Sequence, residues 1–175
     1  MYQEFTFLSQ LKVRSFTFQS SRFHCLGFPK KLYEQGKINF DVQTIDRLGL
    51  NIKVTSLERT IVDVLDRPEY AGGWEEIWRC AENIPVLNLE KMVEYTFSLA
   101  NATTIAKVGF FLEQHKQQFS VDESILELLE TKKPSNALYL ERVKRESGKL
   151  ITRWNLMVPT SILERSWEEP NNDAF

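Results

Sequence analysis

Between Glu4 and Val54 apolar and aromatic residues recur at every second position: Phe5 and Phe7, Phe16 and Phe18, His24 with Leu26 and Phe28, Ile38 with Phe40 and Val42, and Ile52 with Val54. Alternation of this kind marks strands with one buried face. Pro29, Gly36 and Gly49 interrupt it where turns are needed. The intervening stretches are too brief for helical crossovers, so a short-stranded antiparallel sheet is expected.

At Thr55 the period changes. Thr55 and Glu58 fit a capping box, and Leu57, Ile61, Val62 and Leu65 then keep helical spacing as far as Pro68. Gly72-Gly73 breaks the chain before Trp74, Ile77, Trp78 and Ala81 resume that spacing. Asn88 is placed to cap a third helix carrying Leu89, Met92, Val93 and Phe97, and Asn101 precedes a fourth through Ile105, Val108, Phe111 and Leu112 towards Phe119. A fifth, with Ile125, Leu126, Leu128 and Leu129, stops ahead of Pro134.

Period two then returns at Leu138 and Leu140, and at Leu150, Thr152, Trp154, Leu156 and Val158 across a turn at Ser147-Gly148. This predicts a C-terminal β-hairpin with Trp154 on its core face, and Ser161 is placed to start one last helical turn. Strands, then four to five helices, then a hairpin is the segregated order of an α+β domain. The domain is expected to span residues 1–167. The acidic end, 168–175, has too few apolar groups to offset the entropy of ordering and is expected to be a flexible tail.

Composition supports a real core: 42% of the 175 residues are hydrophobic, with twelve Phe and four Trp, which suits one ordinary domain. Lys and Arg number 22 against 24 Asp and Glu, and a net charge of −2 argues against wholesale binding to nucleic acid or an anionic membrane. Cys25 and Cys80 form no CxxC and no His-Cys cluster, so both are expected reduced and mostly buried, holding neither zinc nor a disulfide. No cationic leader with an apolar core opens the chain, and no window reaches the length of about 18 apolar residues that spans a bilayer. A soluble, cytoplasmic protein is expected.

Candidate chemistry is sparse. His24 falls inside an alternating strand and His115 near the end of a polar helix, and a structural or solvated role is expected for each. There is no G-x-S-x-G elbow, P-loop or G-x-G-x-x-G. Asp41 and Lys53 are the nearest approach to a metal-dependent nuclease centre, but Asn51 stands where the second carboxylate would be. No catalytic residue, cofactor or metal is therefore assigned.

The densest charged group is Glu58, Arg59, Asp63, Asp66, Arg67 and Glu69, in which Arg59-Asp63 and Asp63-Arg67 are i,i+4 pairs. One reading is a solvated ladder worth a few tenths of a kcal/mol per pair. The other is a partner-binding stripe of Arg59, Asp63, Arg67, Glu69 and Tyr70. Basic residues gather as Lys12, Arg14, Arg22, Lys30, Lys31 and Lys37, and again as Arg142, Lys144, Arg145, Lys149 and Arg153. Of these, Arg142, Lys144, Arg145 and Lys149 are the candidate phosphate contacts.

The stretch Val54 to Gly73, reading VTSLERTIVDVLDRPEYAGG, resembles the central signature of AbiEi-family antitoxins, the regulators of type IV toxin-antitoxin systems. Ala106 to Glu113, reading AKVGFFLE, is similar to that family's Arg-Leu-Gly-Tyr-Leu-Leu-Glu element, with Lys107 and Val108 where Arg and Leu are usual. Ser147-Gly148 leading to Trp154-Asn155-Leu156 resembles the family's late Gly-to-Trp hairpin, so the three matches in order cover about residues 12 to 167. Family members begin with a winged helix-turn-helix that binds the promoter, and no such segment precedes the first strands here. The resemblance thus implies the C-terminal antitoxin region alone. Its implied role is to neutralise a cognate nucleotidyltransferase toxin, with or without direct contact, in bacterial abortive-infection defence against phage. That role is non-enzymatic, with weak or no DNA binding and no membrane association. A nucleic-acid-binding or nuclease-like module is the alternative, and the oligomeric state is open.

Overall fold

A computed structural model describes residues 3–9, 15–141 and 148–167. The protein is α+β, with strands at its N-terminus, helices in the middle and a β-hairpin near its C-terminus. It divides into two compact units, Met1–Val42 and Gln43–Phe175.

The first unit holds strands β1 (Gln3–Ser9), β2 (Ser15–Phe18) and β3 (Ser21–Gly27), followed by the short helix α1 (Lys30–Glu34). β2 and β3 form an antiparallel hairpin in which Phe16 faces Phe23 and Thr17 faces Arg22. The expectation of a wholly antiparallel sheet is corrected by β1, which runs parallel to β3 from Gln3↔Ser21 to Ser9↔Gly27, giving the order β1-β3-β2. A parallel return does not require a helix when a strand of the same sheet lies on the return path, as β2 does. α1 was hidden because a five-residue helix with one buried residue, Leu32, shows no period. Ile38 and Phe40, expected in a strand, lie in turns where Phe40 N–H donates to Lys37 O and Val42 N–H to Asn39 O. Asp41 has φ 48°, and only Val42 opens the next strand.

That strand, β4 (Val42–Arg47), pairs with β5 (Leu50–Thr55) across a tip where Leu48 and Gly49 both have positive φ. Helices α2 (Leu57–Asp66), α3 (Trp74–Glu82), α4 (Leu89–Ser98), α5 (Ala102–Gln114) and α6 (Glu123–Glu130) follow, with a 3-10 turn at Pro68–Tyr70 after α2. The capping box is corrected by one residue. Ser56, not Thr55, caps α2 by accepting from Arg59 N–H, and the Glu58 carboxylate accepts from Asn88 N–H at the start of α4. Asn88 and Asn101 cap α4 and α5 as their positions suggest, accepting from Lys91 N–H and Thr103 N–H.

α5 is the central helix: every residue from Thr104 to Leu112 is buried, the condition of a helix packed on all sides. It packs against α2, α4 and α6. Trp78 of α3 meets Phe110, Phe111 and His115 with ring centroids 5.2 to 6.1 Å apart. Cys25 is buried, but Cys80 is exposed on α3 with its thiol 3.6 Å from a Glu76 carboxylate oxygen, which corrects the expectation that both are buried.

The C-terminal sheet has the order β6-β8-β7, where β6 (Leu138–Tyr139) runs parallel to β8 (Leu156–Pro159) and β7 (Gly148–Ile151) antiparallel to it. A final helical turn, α7 (Thr160–Leu163), ends this unit's described elements. Trp154 is fully buried, as expected, but by a different route. It sits in the turn between β7 and β8 rather than on a strand, and Leu150, its supposed face-mate, is 39% exposed. Its ring lies so close to the α5 backbone that a Cβ at Gly109 would overlap it. Its indole N–H donates to Glu113 at 2.8 Å. Asn155, at φ 50°, turns the chain out again and donates its amide to Pro134 O.

Trp154→Ala should cost about 3 to 5 kcal/mol, read from denaturant midpoints. Gly109→Ala should destabilise the wild type yet lose most of its cost in the Trp154→Ala background. Additive costs would mean that ring and helix do not meet.

Candidate functional site

The charged residues singled out on α2 sort by depth. Val62 and Leu65 mark the buried side of the helix, and one turn back along that side is Arg59, which is 1% exposed. Its guanidinium lies 3.6 Å from an Asp63 carboxylate oxygen and 5.1 Å from the centre of the Tyr95 ring on α4, while the Tyr95 hydroxyl donates to Asp63 at 2.7 Å. Burial raises the Asp63 carboxyl above its usual range, against the pull of the Tyr95 hydrogen bond and the Arg59 charge. Burial also drives the Tyr95 hydroxyl far upward, helped by the neighbouring Asp63 charge, so it remains a donor. Neither the solvated ladder nor the partner stripe describes Arg59, which belongs to the interior between α2 and α4. Extending the apolar period back by three residues from Val62 would have placed it there.

At the far end of α2 two helices hold each other's termini. Asp66, the last residue of α2, accepts from the Thr104 hydroxyl and from the Asn101 side-chain amide, which sets a carboxylate at the start of α5. Lys107 of α5, 1% exposed, donates to Asp66 O at 3.2 Å, which sets a cation at the end of α2. Each charge faces the helix end that attracts it, and each meets backbone or side-chain groups left open there. Arg67 turns its guanidinium to Asp66 at 3.5 Å. Pro68, the first residue of the 3-10 turn, is buried, and Gly72 and Gly73, at φ 81° and 88°, lead into α3.

What remains outside is a corner. Arg67 is partly exposed, and Glu69 and Tyr70 are exposed, Tyr70 at 44%. Asp63 is half-buried with both of its partners inside the seam. Of the candidate phosphate contacts, Arg142, Lys144 and Arg145 lie outside the described residues, and Lys149 is exposed on β7 opposite Val158. Arg153, from the same basic run, is held among three carboxylates at 3.1, 2.6 and 3.2 Å: Glu113, Glu123 and Glu130. Lys116 and Arg153 hold the Glu123 carboxyl below its usual value. Lys133 donates to Arg153 O at 2.8 Å, so this part of the run ties the hairpin turn to α5 and α6.

Asp41 lies in a turn of the first unit and Lys53 on an exposed strand of the second. Among the described residues no three His, Cys, Asp or Glu side chains gather as metal ligands, and no helix is long and apolar enough to cross a membrane. An open groove of about 460 Å³ runs between the start of α3 and the segment after β8, lined by Trp74, Glu75, Glu141, Ser161, Ser166 and Trp167 among others. Neither serine there has a histidine among the lining residues to activate it. No family model, curated protein or solved structure matches this chain.

His115, 6% exposed, sits against Phe111, Trp78 and Phe119, with Nδ1 2.9 Å from Phe111 O. Burial lowers its pKa from 6.5; the Phe111 carbonyl opposes this, Arg165 adds to it and Glu82 opposes it. The unfolded chain thus binds the proton more readily, and this contribution to stability is present above pH 6.5 and lost as pH falls from there towards the lowered value. His115→Gln should be less stable than wild type at neutral pH, with the gap narrowing as the medium is acidified. Denaturant midpoints across that range check it, and a constant gap would contradict it.

Proposed function

We propose that this chain is the toxin-neutralising region of an AbiEi-type antitoxin, acting in the bacterial cytoplasm against a nucleotidyltransferase toxin and without chemistry of its own. What supports the reading is where its three family-like segments lie. Val54 to Gly73 spans the end of β5, α2 and the 3-10 turn; Ala106 to Glu113 lies within α5; and the stretch from Gly148 to Leu156 is the hairpin. These segments, far apart in sequence, meet in one interior. Lys107 joins α5 to the end of α2, and Gly109 and Glu113 of the same helix receive Trp154.

The departure at Lys107, where the family pattern has Arg, keeps the property the position uses, a cation at the end of α2. The matched residues therefore serve architecture first. Recognition falls to what they present outward, above all the corner of Arg67, Glu69 and Tyr70. A partner contact there would combine an aromatic ring with charges of both signs, a composition suited to a protein surface.

Co-expression with the cognate nucleotidyltransferase, scored by colony formation, is expected to restore growth. A gel-shift assay with the promoter duplex should show no sequence-specific complex, since promoter reading normally needs a helix in the major groove. Failure to restore growth together with sequence-specific duplex binding would replace this reading with that of a stand-alone DNA-binding regulator.

A further inference from the structure

We draw no further inference here: the strongest candidate, the open groove between the start of α3 and the segment after β8, lined by Trp74, Glu75, Glu141 and Trp167 among others, carries none, because the Glu75 carboxylate is already paired with Arg79 at 2.9 Å and nothing in the structure shows what would occupy the groove.

Discussion

A tryptophan in a hairpin turn can reach a helix backbone only where the helix offers no Cβ, and the second unit is organised around that constraint. Trp154 lies against Gly109 midway along the buried run of α5, and a methyl group there would occupy the space of its ring. The contact fixes more than two residues. The indole N–H is committed to Glu113, one turn further along, and that carboxylate also holds Arg153. Arg153 reaches Glu123 and Glu130 as well, so the turn is bonded to α5 and α6 together. Removing the ring would leave a cavity inside and three carboxylates gathered about a cation with less to position it.

α5 binds α2 with equal economy. Asp66 and Lys107 each stand at the end of the other's helix, so one pair of charges closes two termini and their desolvation is offset by groups that would otherwise go unmet. The Arg59, Asp63 and Tyr95 cluster continues the seam to α4. Buried charge of this kind is weak evidence for added stability but fixes which helix faces which. It also commits the charged groups of Arg59, Asp63 and Asp66 to contacts with α4 and α5, which is why the outward residues of the 3-10 turn carry recognition in the proposed function.

Much of this was legible in the sequence because period and capping agree there. Asn88 and Asn101 mark true helix starts, Pro68 and the glycine pair a true break, and Trp154 is in the core. The failures have physical causes. Leu150 to Val158 alternates convincingly, yet Thr152 to Asn155 is a turn, since a two-residue period cannot distinguish a strand from a turn that aims one large side chain inward. The parallel placement of β1 is a long-range choice that no local pattern records. The depth of Arg59 was masked by its charge: i,i+4 partners suggest a surface ladder, and only the position of Arg59 on the Val62 side of the helix reveals that it points inward. The candidate site was legible as a set of residues and not as a surface, because burial divides Arg59 from Glu69 and Tyr70.

The central claim is that α2, α5 and the β7–β8 hairpin form one cooperative interior joined through Gly109, Trp154, Asp66 and Lys107. Native-state hydrogen exchange at rising sub-denaturing concentrations of denaturant measures this directly, since amides that open together converge on one free energy. Amides within α2, α5 and β8 are expected to converge on the global unfolding free energy and to fall together in Trp154→Ala. Exchange of the β8 amides at a lower free energy than those of α5, unchanged by that substitution, would contradict it.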